Sequence, residues 1–127
     1  MYVPMKPEVF FKALSDPTRL RSLLLLLGER QLCVCELVEA LELGQPLVSR
    51  HLGQLREQGI VVGQRRGQWV YYRLHPALPG WCREVLEQAL DAKEVQTALA
   101  SARRRLAAMA TRPAPGCTPG HALDQLQ

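Results

Sequence analysis

No stretch of this chain is apolar for long enough to cross a bilayer. A membrane helix needs about 20 apolar residues, and the longest run here is Leu23 to Leu27, which suits a buried helix face. The first seven residues, Met1 to Pro7, contain no apolar h-region, so no signal peptide is expected and the expected compartment is the cytoplasm. Neither a Cys-x5-Arg phosphate loop nor a Gly-rich nucleotide loop occurs, and no internal repeat is visible. These absences remove transporters, secreted disulfide frameworks and nucleotide-dependent enzymes. A thiol enzyme such as an arsenate reductase would also need an acid/base partner beside its cysteines, and no residue is placed by the sequence for that role. No enzyme is expected.

What is present is a chain of 127 residues, the size of one domain. It has four cysteines, Cys33, Cys35, Cys82 and Cys117. In a reducing cytosol these are expected as thiols first and disulfides second. The net charge is +4, and its location matters more than its size. Between Gly44 and His75 stand Arg50, Arg56, Arg65, Arg66 and Arg73 against the single acid Glu57, so this segment carries the whole excess. A localised basic excess points to a polyanion, most often nucleic acid.

The apolar periodicity predicts a mostly helical fold with a two-stranded β wing. Pro7 to Leu14 reads as a short helix. Asp16 and Pro17 cap and open a second, with Leu20, Leu23, Leu24 and Leu27 at helical spacing and a stop at Gly28. A third runs from Val34 or Cys35 to Leu41. Gly44 breaks the chain, Pro46 sits in the first turn of a fourth helix, and that helix ends near Gln58 with Gly59 as its stop. Ile60 to Arg66 and Gln68 to Leu74 form a hairpin hinged at Gly67. A fifth helix is expected from about Gly80 to Met109, roughly 45 Å long. Its stripe of Cys82, Val85, Leu86, Ala89, Ala92, Val95, Leu99, Ala102, Leu106 and Met109 is too long for a small domain to cover, so a partner helix and a homodimer are expected. Residues 1–110 form the DNA-binding and dimerisation domain, and the Pro/Gly-rich residues 111–127 form a mobile tail.

The third and fourth helices, joined by Glu42 to Gln45, predict a helix-turn-helix. Gln45, Leu47, Ser49, Arg50, Gln54 and Arg56 point outward on its second helix, with His51 on the flank. Gln can pair with adenine and Arg with guanine in the major groove. Arg65, Arg66 and Gln68 at the hairpin tip are placed to touch backbone or minor groove. A winged helix-turn-helix results.

Three segments make the resemblance specific: Leu14 to Leu20 (LSDPTRL), Gln45 to Leu52 (QPLVSRHL) and Gly67 to Leu74 (GQWVYYRL). They resemble the signature segments of the arsenic-responsive ArsR/SmtB repressors, and the match runs in order over about residues 7–100. The resemblance implies a homodimer that represses a resistance operon and leaves operator double-stranded DNA when metal binds. It also places Ser49, Arg50 and His51 on the recognition helix. Gln31 to Leu37 (QLCVCEL) is similar to that family's arsenic-sensing box, which points to Cys33 and Cys35 as ligands of As(III) or Sb(III). Soft trivalent metalloids prefer thiolates, and a helix N-terminus favours the thiolate. Residues i and i+2 point about 200° apart on a helix, so both can hold one ion only if the first turn is non-helical or unwinds. Unwinding would displace the recognition helix.

The family's third cysteine is replaced here by Val38. A third donor is left open among Cys117, Cys82, a small thiol such as glutathione, and hydroxide, with Cys82 also readable as a buried thiol and Cys117 as an incidental one. No His lies between Gly80 and Met109 and no Cys precedes Cys33, so the family's zinc and cadmium/lead sites are not expected. His75 and His121 read as surface residues. The competing reading within DNA binding is a redox- or non-metal-responsive regulator of the same fold.

Overall fold

The computed structural model describes residues 4–109. Cys117, His121 and the expected mobile tail lie outside the described residues. Nine elements follow one another: α1 (Pro7–Leu14), α2 (Pro17–Glu29), β1 (Leu32–Cys33), α3 (Val34–Leu41), α4 (Gln45–Glu57), β2 (Val61–Arg66), β3 (Trp69–Leu74), α5 (Gly80–Asp91) and α6 (Lys93–Ala107). Asp16 caps α2, its Oδ2 accepting from the Arg19 N–H at 3.0 Å, with Pro17 at the first helical position. That cap satisfies one of the N–H groups a helix start leaves without a partner. Phe10, Leu23 to Leu26, Leu37, Leu52, Leu55, Ile60 and Leu86 are all buried and form one core beneath the helices and the sheet.

The stop after α4 is a Schellman turn. Gly59 takes φ 80°, and the N–H groups of Gly59 and Ile60 donate to the carbonyls of Arg56 and Leu55 at 3.0 Å each; a left-handed residue here costs glycine nothing. Ile60 is thereby delivered into the core and β2 begins. Gly67, with φ 63°, occupies the first of the two residues joining β2 to β3, as a tight type II′ hairpin requires.

Two expectations are corrected. The sheet has three antiparallel strands in the order β1-β3-β2, because Leu32 and Cys33 pair with Tyr72 and Tyr71. The last helix is not continuous, so among the described residues there are six helices and not five. Ala92 is extended (φ −65°, ψ 136°), and α6 turns back across α3, where Leu99, Ala102 and Leu106 become buried. The energetics favour the break. Burying each leucine contributes about 1.5–3 kcal/mol, whereas each helical hydrogen bond given up is worth about 1 kcal/mol net. One of the freed carbonyls regains a partner, since the Gln96 side-chain amide donates to the Leu90 carbonyl. The second half of the stripe therefore finds its cover within the chain. Phe11 on α1 stays half exposed, edge-on to Phe10 and tilted against Trp81 of α5, at centroid distances of 5.8 Å and 6.0 Å.

Candidate nucleic-acid interface and cysteine pair

The turn between α3 and α4 is made by Glu42, which adopts the left-handed conformation (φ 56°, ψ 44°). Gly44, where the sequence put the break, is the extended N-cap of α4. Helix α4 buries Val48, Leu52 and Leu55 and leaves Gln45, Arg50, Gln54 and Arg56 exposed, with Ser49 half-buried. Leu47 is half-buried as well. At the tip of the hairpin Arg65 and Gln68 are exposed. The start of α4 lies beside the wing, since Gln45, Ser49 and Gln68 line one pocket, and Arg50 and Arg65 are exposed on those two elements.

Three side chains from the expected set are held in place by protein groups. Arg66 is turned inward and only 5% exposed: its guanidinium lies 4.7 Å from the Tyr71 ring centroid, and Nη2 donates to Gln31 Oε1 at 3.1 Å. Burial lowers its pKa from the usual guanidinium range, partly offset by Tyr71. Arg66 flanks the two-residue turn as expected, but its side chain folds back against the Tyr71 ring and Gln31 instead of standing out, with Nε and Nη1 buried and without hydrogen-bond partners. His51 and Gln54 both receive the guanidinium of Arg19, whose Nη1 donates to His51 Nδ1 at 3.2 Å and to Gln54 Oε1 at 3.4 Å. His51 Nε2 lies 3.8 Å from Asp16 Oδ2. Burial raises the Asp16 pKa, but the Arg19 N–H and the nearby His51 and Arg19 outweigh it and hold the carboxyl below its ordinary value. Sequence reading missed Arg19. It stands three residues after a helix-capping Asp, and its role becomes visible only once α4 is folded against it.

The cysteine pair straddles a strand-to-helix junction. Cys33 ends β1 and is the extended N-cap of α3 (φ −82°, ψ 163°), whereas Cys35 lies one residue inside the helix. The Cα atoms are 5.4 Å apart and the sulfurs are joined as a disulfide. The expected obstacle, two side chains pointing opposite ways on one helix, is thus met by the extended N-cap, and α3 need not unwind to bring the sulfurs together. Glu36 Oε1 accepts from the Cys33 N–H at 2.8 Å and fixes the junction.

A pocket of ≈ 300 Å³ opens on the pair. Its walls are Cys33, Val34 and Cys35, then Gln45 and Ser49 from the start of α4, then Gln68, Trp69 and Val70 from the wing, with Tyr72 behind. The structure thus brings the two cysteines to the same cavity as three of the expected DNA-reading side chains. Cys82 is elsewhere, buried on α5, and burial pushes its thiol pKa up to about 11. Among the described residues no three His, Cys, Asp or Glu side chains cluster to hold an ion. Val38, where the family box has its third cysteine, packs against the core.

A helix-turn-helix whose second helix starts beside an Arg-bearing hairpin defines a winged-helix DNA-binding protein. Residues 16–62 match the family described as bacterial regulatory protein, arsR family. The chain is 52% identical over 109 residues to the arsenic resistance transcriptional regulator ArsR1 of Pseudomonas putida, spanning 86% of this chain and 84% of that one. It is 46% identical over 83 residues to the arsenical resistance operon repressor of Escherichia coli, spanning 65% and 71%. Among solved structures it is similar to the AntR antimony-specific transcriptional repressor (31% identity, TM-score 0.59, 72% of this chain and 78% of that one). HlyU from Vibrio cholerae is also similar (34% identity, TM-score 0.58, 65% and 85%). The chain belongs to the arsR family of bacterial regulatory proteins, which are DNA-binding transcription regulators and not enzymes.

Proposed function

We propose that this chain is a cytoplasmic, metalloid-responsive repressor that binds operator duplex DNA as a homodimer and releases it when As(III) or Sb(III) is captured by Cys33 and Cys35. The observation that carries this reading is the shared pocket, in which the cysteine pair faces Gln45, Ser49 and Gln68. An ion held by the two sulfurs alters the wall against which the recognition helix and the wing are set. The bound and free forms then differ in affinity for DNA, which is what release requires. Regulators whose names record arsenic and antimony support the inducer class. Among the described residues no helix is long and apolar enough to cross a membrane.

In this reading Arg50 reads bases from the major groove, Gln45 and Ser49 lie at the approach to it, and Arg65 and Gln68 meet the backbone. His51 and Gln54 act chiefly through Arg19. Dimerisation uses α1 and α5, where the aromatic cluster of Phe10, Phe11 and Trp81 leaves Phe11 half exposed. The third metalloid donor is a group outside the pair: Cys117, a small thiol or hydroxide. Cys82, buried with a raised pKa, is a poor thiolate source.

The disulfide favours a second reading, in which oxidation of the pair triggers release; peroxide would take two electrons and two protons from the thiols and leave as water. Titrating the reduced protein–operator complex separates the two. Arsenite is expected to dissociate it and peroxide to leave it intact, and the Cys33→Ser/Cys35→Ser double variant should stay on DNA throughout. Dissociation of that double variant at the parent's arsenite concentration places the sensing site elsewhere.

A further inference from the structure

We propose that Arg19 sets the half-site spacing that this protein accepts, by fixing recognition helix α4 to the C-terminal end of α1. This rests on the dimeric, operator-binding reading above.

The side chain bonds two helices at once. Nε donates to the Ala13 carbonyl at 2.9 Å and Nη2 to the Lys12 carbonyl at 3.2 Å, both in the last turn of α1, and the Lys12 carbonyl also accepts from the N–H and Oγ of Ser15. Nη1 donates to His51 Nδ1 and Gln54 Oε1, which are three residues apart and so neighbours on the surface of α4. The backbone N–H of the same residue is held by Asp16, and Asp16 in turn faces His51. A planar guanidinium offers these donors in one rigid fork, so the angle between α1 and α4 is set by a group that cannot satisfy all its partners at any other angle.

That angle matters because α1 lies at the dimer surface and α4 lies in the groove. Two recognition helices on successive major grooves stand about 34–36 Å apart, so each is ~17 Å from the two-fold axis. A swing of about 6° over that arm moves each helix by about 1.7 Å, and the two-fold doubles this to about the ~3.4 Å rise of one base-pair step. A small slackening at Arg19 therefore blurs the distinction between operators that differ by one base pair in spacing.

The test uses the full-length dimer and duplexes built from one pair of half-sites, chosen by the parent protein from a random pool. Their separation is varied by up to two base pairs in either direction, and affinity is read by fluorescence anisotropy. The parent is expected to lose about tenfold for a one-base-pair change, within the range of a single mismatch. Arg19→Ala is expected to lose less than about threefold for the same change, giving a broadened profile. Arg19→Lys, which keeps the charge but not the fork, should broaden it too. A purely structural role would lower affinity for every spacing by the same factor, so parallel parent and variant profiles overturn the proposal. If circular dichroism shows Arg19→Ala unfolded, the Arg19→Lys profile decides alone. A parent with no spacing preference overturns the dimeric reading instead, before any variant is compared.

Discussion

Arg105 of α6 grips the carbonyl oxygen of Ala40 with two nitrogens, Nε at 2.9 Å and Nη2 at 2.7 Å. Its third nitrogen, Nη1, stands 3.6 Å from Glu42 Oε1. A cation thus sits at the C-terminal end of α3, where the helix dipole favours positive charge, and beside the left-handed residue that turns the chain toward α4. Arg105→Ala should lower unfolding free energy by about 1–2 kcal/mol, the value of a charge-assisted hydrogen bond reduced for partial exposure. Urea titration should show a lower midpoint with an unchanged slope, and an unchanged midpoint would show that α6 is held by its apolar face alone.

The three arginines of the expected DNA set should part company. Arg50→Ala should weaken operator binding and relax base preference. Arg65→Ala should weaken all sequences alike and flatten the salt dependence by about one unit of slope. Arg66→Ala should leave the salt slope as it is and lower thermal stability, because its side chain is buried against Tyr71 and bonded to Gln31. Anisotropy across a salt series, paired with thermal melts, distinguishes all three. A flattened slope for Arg66→Ala would return that residue to the DNA surface.

The third metalloid donor can be assigned by subtraction. Cys82→Ser should leave arsenite affinity unchanged, since the thiol is buried and its pKa is pushed up to about 11. Truncation after Arg112 removes Cys117. A fall in arsenite affinity identifies the tail thiol as the donor, and unchanged affinity dismisses it in favour of hydroxide or an added thiol.

Asp16 gives a pH signature. Its folded carboxyl lies below the ordinary 3.8, so the native state holds its proton less tightly than the unfolded chain does. The resulting stability is complete above the unfolded pKa and is lost as pH falls through the folded value. Asp16→Asn keeps a capping oxygen but no ionisable group. The gap in stability between parent and variant should therefore be full at neutral pH and close on acidification below about pH 4. A gap that stays constant with pH would mean that the cap, and not the charge, is what matters.

Much of this architecture was legible in the sequence, and the exceptions share a cause. Asp16 with Pro17, Pro46, Gly59 and Gly67 mark ends and turns by local backbone chemistry, and α1, α2, α4 and the hairpin lie close to where those residues put them. The break at Ala92 left no such mark: the apolar steps of three and four run straight through it, and only α3, distant in sequence, supplies the surface that draws Leu99 and Leu106 away. Strand β1 is two residues long and exists because β3 is there to pair with it. Arg66 was expected to reach DNA because it stands at the hairpin tip, whereas Tyr71 of β3 and Gln31 before β1 hold its side chain inward. At the candidate site the cysteines and the start of α4 were readable separately. Their meeting in one cavity was not, since that depends on how the wing closes against α3.

That cavity limits how such a protein can be re-engineered. Its walls come from three stretches of chain, around residues 34, 47 and 69, so the cysteine segment is not a detachable cassette. Grafting a different box onto residues 31–37 would set new side chains against Gln45, Ser49 and Trp69 that were shaped for the old ones. A workable exchange must carry all three stretches together, and on the proposed function inducer choice and operator choice would then be inherited as one parcel.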